Sequence, residues 1–409
     1  MKIFDARRPR STRRRSLRPW SLACIALALV VSACSSGDDQ SGDKSADPIT
    51  IAVMAPFSGD YAIFGEGYKA GIETWIAVNG EPEVNGRPVE FVYPDEGCDV
   101  STGQEAFRRV SNKITAVMGP SCSAVVKALK PAFAQAKTPV LFLGHSSSIT
   151  EDETDGWVFR LSQPDRAIVG VFADYLFEQW KSEGVSKVAL MHDTSTTNAD
   201  APQYYAGSAK DAGIDLVENL SYELGTTDFT PQLLKVRQSG AEALILQSFG
   251  GDEAKIIKQA ASMGLKLKLA SGSDTPYPET IEGGMPEIDG VVFYADYVAG
   301  ADDPGIKKFE DAWNAENPDV LPVDLNYEAY LGMSLMMEAL KQPGADAGGE
   351  ALRDAIANIN YKFGDIDISF LPNGDQANLL TFIGKVEDGK AKLVKLAVSP
   401  RAEAAGYAK

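Results

Sequence analysis

The feature that most constrains the fold of this chain is a regular alternation of short apolar, β-rich segments with helix-forming segments. The clearest unit is residues 114–129, ITAVMGPSCSAVVKAL, in which a strand-like run ends at Gly119-Pro120 and a serine-bounded helix start follows. Units of this kind joined by short gaps predict a parallel sheet with helices on both of its faces. The pattern restarts after Arg160 at a similar length. The sequence therefore predicts two α/β lobes and not one large sheet.

Local patterns near the two ends of the folded part give further expectations. The Gly- and aromatic-rich segment 56–67 predicts a long turn, and a helix is expected to follow at residues 68–78. In the tail, two strands are expected at residues 366–370 and 379–385, on either side of the turn at 372–375, PNGD.

The first residues of the chain resemble a secretion signal that ends in a lipid attachment site. Residues 1–18 hold eight Lys or Arg and one acid, and residues 21–31 form an apolar run that is too short for a comfortable membrane span. This run ends in Val31-Ser32-Ala33-Cys34, which resembles a bacterial lipobox. We therefore predict cleavage before Cys34, lipid on its sulfur and a flexible tether after it. The alternative is an uncleaved hydrophobic anchor. Both place the domain outside the cytoplasm, in the periplasm or on the outer face of the cell membrane.

Length and pattern together predict four parts. Roughly 360 residues of folded chain exceed the usual size of one domain and suggest two. The predicted parts are a signal peptide at 1–33, a lipidated cysteine with its tether at 34–48, an N-terminal lobe at 49–165 plus 295–360, and a C-terminal lobe at 166–294 plus 361–409.

Charge and cysteine content narrow the possible partners. Without residues 1–33 the chain keeps 31 Lys or Arg and 56 Asp or Glu, a formal charge near −25. It has no basic, aromatic-rich segment, so nucleic acid is not an expected partner. Once Cys24 and Cys34 are set aside, two cysteines remain. Outside the cytoplasm Cys98 and Cys122 are expected to pair; a shared metal or two free thiols is the alternative.

The sequence offers little for catalysis. Residues 144–148, GHSSS, resemble the nucleophile turn of serine hydrolases, but that pattern ends in Gly and this one ends in Ser. His145 and His192 are the two histidines. Neither a nucleotide-binding glycine pattern nor a zinc-ligand set accompanies them. We predict a protein that is not an enzyme and that uses no cofactor and no metal. An extracellular hydrolase using His145 or His192 is the alternative from another class.

The sequence offers more for binding. Serine-bearing turns at residues 121–123 and 146–148 follow neighbouring strands, and ligands of parallel sheets bind at the carboxyl ends of strands. The hydroxyls of these turns, with the N–H groups that begin the following helices, suit one carboxylate. Asp274 follows a strand of the second lobe, where it would face a cationic group on the same ligand. The pattern thus indicates a zwitterionic ligand such as an amino acid.

These residues resemble a known family, the type I solute-binding proteins of ABC importers, and within it the leucine/isoleucine/valine-binding group. The likeness runs from residue 49 to about residue 396. It is carried by IAVMAPFSGDYAIFGEGYKAGIE, PDEGCD, GPSCSA, PVLFLG, IIKQAASMGL and the strand end at 270–274. It implies two Rossmann-like α/β lobes with parallel-rich sheets, joined by three crossings, that close on a small molecule by hinge motion. It also implies a monomer that delivers an amino acid, branched-chain or similar, to the permease subunits of the importer.

The resemblance gives roles to individual residues. Ser123 and Ser146 take the positions of carboxylate-binding hydroxyls, with help from the backbone of Ser121 and Gly144. Asp274 takes the position of the acid that pairs with the α-ammonium of the ligand.

The resemblance also implies the surroundings of the ligand. Three aromatic residues, Phe64, Phe249 and Tyr327, would wall the side-chain pocket. Cys98 and Cys122 would form a disulfide that fixes the loop bearing Ser123.

Two positions depart from the family pattern. Thr197 stands where an aromatic residue is expected, unless its loop brings Tyr204 or Tyr205 inward, and His145 stands where many members have a small residue. The departures leave the side chain of the ligand open, so that an aromatic acid, a urea or a short amide is the alternative ligand. The predicted ligand-binding residues are Phe64, Ser121, Cys122, Ser123, Gly144, His145, Ser146, Thr197, Phe249, Asp274 and Tyr327.

Overall fold

The computed structural model describes residues 47–151, 156–248, 251–378 and 380–398. The predicted signal peptide, Cys34, nearly all of the tether and Phe249 lie outside the described residues. Within the described ranges, no helix combines the length and the apolar character needed to cross a bilayer.

A six-stranded sheet organises the first lobe. Its strands are β1 (Ile49–Val53), β2 (Glu83–Val84), β3 (Arg87–Val92), β4 (Ala116–Met118), β5 (Val140–Phe142) and β6 (Val158–Arg160). They lie in the order β2-β3-β1-β4-β5-β6, and each pair is parallel except β2 with β3. The helices that alternate with them are α1 (Ala62–Asn79), α2 (Val100–Val110), α3 (Ser123–Ala136) and α4 (Ser148–Glu151). Because helices cover both faces, the central strands are apolar along nearly their whole length.

A seven-stranded sheet organises the second lobe. Its first five strands are β7 (Lys187–Asp193), β8 (Asp215–Tyr222), β9 (Ala243–Gln247), β10 (Lys268–Ser271) and β11 (Val292–Ala295). These five strands pair in parallel with one another. Helix α5 (Asp165–Ser182) precedes them, and four helices connect them: α6 (Ala201–Ala212), α7 (Thr230–Ser239), α8 (Asp252–Ser262) and α9 (Pro278–Gly284). Two antiparallel strands, β14 (Leu380–Glu387) and β15 (Lys390–Val398), extend the sheet, which has the order β15-β14-β11-β10-β9-β7-β8.

In the described part of the chain, three segments cross between the lobes: residues 161–164 after β6, 296–303 after β11, and 369–378 before β14. After the second crossing, α10 (Pro304–Glu316) and α11 (Asp324–Leu340) pack against α1 of the first lobe. Helix α12 (Gly349–Ala357) and the hairpin of β12 (Tyr361–Phe363) with β13 (Ile366–Ile368) follow. The predicted α/β fold of two lobes with parallel-rich sheets is confirmed, while the residue bounds of the lobes stay predictions.

Candidate functional site

The first serine turn lies between β4 and α3 and is built over a buried carboxyl group, that of Glu96. Oε1 of Glu96 accepts hydrogen bonds from the backbone N–H of Ser121 (3.1 Å), its hydroxyl (3.1 Å) and the N–H of Cys122 (3.2 Å). Glu96 therefore occupies the donors at the start of α3. Of the polar groups predicted for this turn, the hydroxyl of Ser123 is the one that faces other parts of the site.

The disulfide predicted from the sequence is present. Cys98 and Cys122 are bonded, with their Cα atoms 5.4 Å apart. Cys122 is buried and directly precedes α3, so the bond fixes the start of that helix to the segment after β3.

The second serine turn follows β5 and meets the first. The backbone N–H of Ser146 donates to the Ser123 hydroxyl at 3.2 Å, and the hydroxyls of Ser146 and Ser148 are 2.9 Å apart. Gly144 permits this approach, because a Cβ atom at that position would lie 2.8 Å from Oγ of Ser123. The two turns thus place Ser123 and Ser146 side by side at the carboxyl edge of the first sheet.

An arginine that no sequence pattern marks holds the second turn in place. Arg160, at the end of β6, is fully buried and donates from Nε to Oδ1 of Asp375 at 2.8 Å. Its other nitrogens donate to the carbonyl of Gly144 and, at 3.1 Å, to the carbonyl of Ser146. Both carbonyls are therefore directed into the protein and away from a ligand.

His145 belongs to the hinge. Its Nε2 lies 2.6 Å from Oδ2 of Asp296 in the second crossing, and Oδ1 of Asp296 accepts the backbone N–H of Gln163 in the first crossing at 2.8 Å. Burial lowers the pKa of His145, but Asp296, with Asp165 and Asp324 behind it, outweighs burial and raises this pKa to about 9. The imidazole is therefore a cation at neutral pH and is paired with a carboxylate.

Thr197 brings the second lobe into contact with the first. It lies in the loop after β7, is half-buried, and donates from its hydroxyl to the Ser123 hydroxyl at 3.1 Å. The amide of Asn198 donates to Asp193 at 2.8 Å and accepts from Gln247 at 2.9 Å, which fixes this loop. The carboxyl edges of the two sheets thus meet at a pair of hydroxyls.

Asp274 lies beside a cavity of about 340 Å³ between the lobes. The ring of Phe64, from α1, lies 5.9 Å from that of Tyr277, centroid to centroid, across the gap. The hydroxyl of Tyr277 donates to Oδ1 of Asp324 on α11 at 2.7 Å, which is a second contact between the lobes. The cavity is lined by Tyr61, Ile63, Phe64, Glu66, Gly251, Asp274, Tyr277, Glu279 and Thr280. Tyr277 was not predicted, and its nearness to Asp274 in the sequence was the available signal.

Tyr327 lies in an aromatic cluster at the hinge. Its ring stacks on Tyr297 at 5.0 Å and meets the edges of Phe309 and Phe363. It is 5 % exposed and does not line the cavity beside Asp274. The structure therefore brings Phe64 and Asp274 together, and Ser123, Ser146 and Thr197 together, but it places His145 and Tyr327 in the hinge.

Comparisons with known proteins agree with this architecture. A family model described as a periplasmic binding protein matches residues 48–391. The Leu/Ile/Val-binding protein homolog 2 of Brucella abortus (strain 2308) is 26% identical over 359 residues, which cover 85% of this chain and 94% of the relative.

Two solved structures show the same fold. A leucine-binding protein from Thermotoga maritima superposes with a TM-score of 0.78 at 22% identity, over 86% of this chain and 99% of that chain. A solute-binding protein of an ABC transporter from R. palustris, in complex with 4-hydroxybenzoate, gives a TM-score of 0.76 at 25% identity, over 86% of this chain and 98% of that chain. The resemblance to the leucine/isoleucine/valine-binding group is thereby confirmed, and this chain belongs to the periplasmic binding protein family.

Proposed function

We propose that this protein is an extracytoplasmic receptor that binds an amino acid between its lobes and delivers it to an ABC permease. The relatives are solute-binding proteins, and one is named as part of an ABC transporter. The protein would be held at the membrane by lipid on Cys34 and would act as a monomer.

The observation that carries this proposal is the meeting of Ser123, Ser146 and Thr197 where the carboxyl edges of the two sheets face each other. Hydroxyl donors at this position suit a carboxylate. Asp274, which lines the cavity between the lobes, supplies the charge that an ammonium group requires. One zwitterion would then contact both lobes and stabilise their closed arrangement.

An enzyme is disfavoured by the surroundings of the two histidines. His145 pairs with Asp296 in the hinge, and Nδ1 of His192 lies 2.9 Å from the carbonyl of Asp193. Within the described residues neither imidazole bonds to a serine hydroxyl, which the base of a hydrolase triad requires.

A second candidate is a receptor for an aromatic acid. Thr197 in place of an aromatic side chain favours it, and the R. palustris relative was solved with 4-hydroxybenzoate. A ligand of this class would use the hydroxyls of Ser123 and Ser146 and would make no use of Asp274.

The ammonium group therefore separates the two candidates. We would measure the melting temperature of the purified protein with a panel of L-amino acids and with the same compounds lacking the ammonium group. A ligand at a hundredfold excess over its Kd adds about 2.7 kcal/mol to the free energy of unfolding, which is readily detected. We expect the amino acids to raise the melting temperature and the compounds without the ammonium group to leave it unchanged.

Substitution completes the test. We expect Asp274→Asn to abolish the rise caused by amino acids, whereas the control Asp289→Asn, at an exposed position of the same lobe, leaves it unchanged. Binding of amino acids that survives Asp274→Asn would contradict the role given to this carboxylate, and stabilisation by aromatic acids alone would favour the second candidate.

A further inference from the structure

We propose that the cavity between the lobes selects an amino acid whose side chain ends in a cation, of the ornithine, lysine and arginine class. This inference rests on the proposed function. It adds the class of side chain, which the relatives leave open because their names cover both aliphatic amino acids and an aromatic acid.

The cavity is lined by three carboxylates, those of Glu66, Asp274 and Glu279, and by no Lys or Arg among the described residues. Asp274 is half-buried, whereas Glu66 and Glu279 are exposed at the rim and come from opposite lobes. A cleft lined by charges of one sign concentrates field lines and attracts ligands of the opposite sign. Asp274 would pair with the α-ammonium of the ligand, and Glu66 and Glu279 would attract a second cation on its side chain.

The apolar part of the lining suits the stem of a basic side chain. The rings of Tyr61 and Phe64 are stacked at 6.1 Å, and Phe64 meets Tyr277 at 5.9 Å with the ring planes 66° apart. Such rings pack against the methylene groups of a Lys or Arg side chain, and their faces attract its charged end. The bond to Asp324 holds the Tyr277 ring in this position.

Two buried carboxyl groups beyond the lining of the cavity are affected by the negative charge of Asp274. Burial raises the pKa of Asp324 to about 7. The negative charges of Asp296 and Asp274 add to this rise, while the hydrogen bond from Tyr277 and the charge of His145 oppose it. Burial likewise raises the pKa of Glu253 to about 8 against the opposing hydrogen bonds from Ser271 and Thr275, and the charge of Asp274 makes a smaller contribution in the same direction as burial. The carboxylate of Asp274 would attract an added cation on the ligand, which a leucine side chain or a benzoate ring does not carry.

The test compares amino acids that differ in the terminal charge alone. Citrulline replaces the guanidinium of arginine by a neutral urea, and norleucine replaces the ammonium group of lysine by hydrogen. We would measure the Kd of L-arginine, L-citrulline, L-lysine, L-norleucine and L-leucine by calorimetry with the full protein. We expect the cationic member of at least one pair to bind about tenfold more tightly than its neutral partner, and added salt to reduce that ratio.

Variants at the rim identify the groups responsible. The double variant Glu66→Gln/Glu279→Gln is expected to reduce the ratio in every pair that shows one, through weaker binding of the cationic member. Glu282→Gln is the matched control, since Glu282 is exposed on the same helix as Glu279 but does not line this cavity. A ratio that the double variant does not change would overturn the role of the two rim carboxylates.

Failure of this inference is distinguishable from failure of the proposed function. Equal affinities within both pairs, or tighter binding of leucine than of lysine and arginine, would overturn the selection for a cation and leave an amino-acid receptor. Binding of acids without an ammonium group, and of no amino acid, would overturn both.

Discussion

The carboxylate of Asp375 and the guanidinium of Arg160 are joined by a 2.8 Å hydrogen bond, and both side chains are fully buried. Asp375 lies in the third crossing between the lobes, and Arg160 also donates to the carbonyls of Gly144 and Ser146. The pair therefore connects the hinge to the serine turn of the candidate site. One guanidinium thus contacts both the third crossing and the second serine turn.

We predict that Asp375→Asn lowers the free energy of unfolding by about 3–5 kcal/mol, because it leaves the buried guanidinium of Arg160 without its counter-charge. Urea denaturation measures this loss. The control is Asp367→Asn, whose carboxylate is 59 % exposed and lies 3.9 Å from Lys362. An exposed pair of this kind contributes about 0–1 kcal/mol. Equal effects of the two variants would contradict the importance of the buried pair.

We predict that Thr197→Val weakens amino-acid binding about three- to tenfold. Valine keeps the shape of threonine but removes the hydroxyl that donates to Ser123, and a neutral hydrogen bond contributes about 0.5–1.5 kcal/mol net. Calorimetry measures the Kd of the variant and of the parent for the amino acid that raises the melting temperature most. Thr197→Ser, which keeps the hydroxyl, is the control. A Thr197→Val protein that binds as tightly as the parent would show that the contact between the lobes does not contribute to closure on a ligand.

Sequence alone suffices to place Ser123, Ser146 and Thr197 at strand ends. Each follows a short apolar run that stops at a Gly-, Pro- or Asp-containing turn, and such a change of pattern marks the edge of a buried sheet. The disulfide is predictable for a related reason. Once Cys24 in the signal and Cys34 at the lipid site are set aside, Cys98 and Cys122 are the two remaining cysteines, and both follow strands.

The contacts that shape the site are long-range and leave no local pattern. Arg160 and Asp375 are 215 residues apart. Glu96, whose carboxyl group accepts hydrogen bonds from Ser121 and Cys122, lies 25 and 26 positions before them in the chain. Burial of a charged residue depends on partners from elsewhere in the fold, so periodicity does not reveal it.

Two elements differ from the predictions for local reasons. Helix α1 begins at Ala62 and not at residue 68, because Gly65 is not a turn residue: a Cβ there would lie 2.3 Å from the Pro56 carbonyl, so the glycine lets the helix pack against that segment. Strand β15 was missed altogether. Its signal is Asp388-Gly389, whose φ angles of 54° and 70° are typical of a two-residue hairpin turn.

We predict that removal of the disulfide by the double variant Cys98→Ala/Cys122→Ala lowers the free energy of unfolding by about 2–4 kcal/mol, since the bond closes a loop with a sequence separation of 24. Urea denaturation of the parent with and without reductant gives an independent value. A reductant should not change the stability of the double variant. A loss below about 1 kcal/mol in both experiments would show that the packing of Cys122 and the start of α3 suffice without the bond.

We predict that Glu96 makes stability fall as the pH rises. Burial raises the pKa of Glu96 from an ordinary value of 4.5 to about 8. Hydrogen bonds from Cys122 and Ser121 oppose this rise, and the negative charge of Asp95 adds a smaller contribution to it. Its Oε2 is buried and has no hydrogen-bond partner among the described residues, so it is the natural position for the retained proton.

The sign follows from the two pKa values. Below pH 4.5 Glu96 is protonated in the folded and the unfolded protein, and its contribution is fully present. Between pH 4.5 and 8 the unfolded chain has released this proton while the folded protein keeps it, so the free energy of unfolding declines by up to about 1.4 kcal/mol per pH unit. Above pH 8 both states have released the proton and this decline ends. The side chain at position 96 in Glu96→Gln is neutral at every pH, so the variant should not show this decline. The free energy of unfolding of the variant should therefore increase relative to that of the parent as the pH rises. Urea denaturation of both proteins across this range measures the difference, with exposed Glu90→Gln as the control. Parallel curves for Glu96→Gln and the parent would mean that the hydrogen bonds from Ser121 and Cys122 outweigh burial and keep Glu96 ionised.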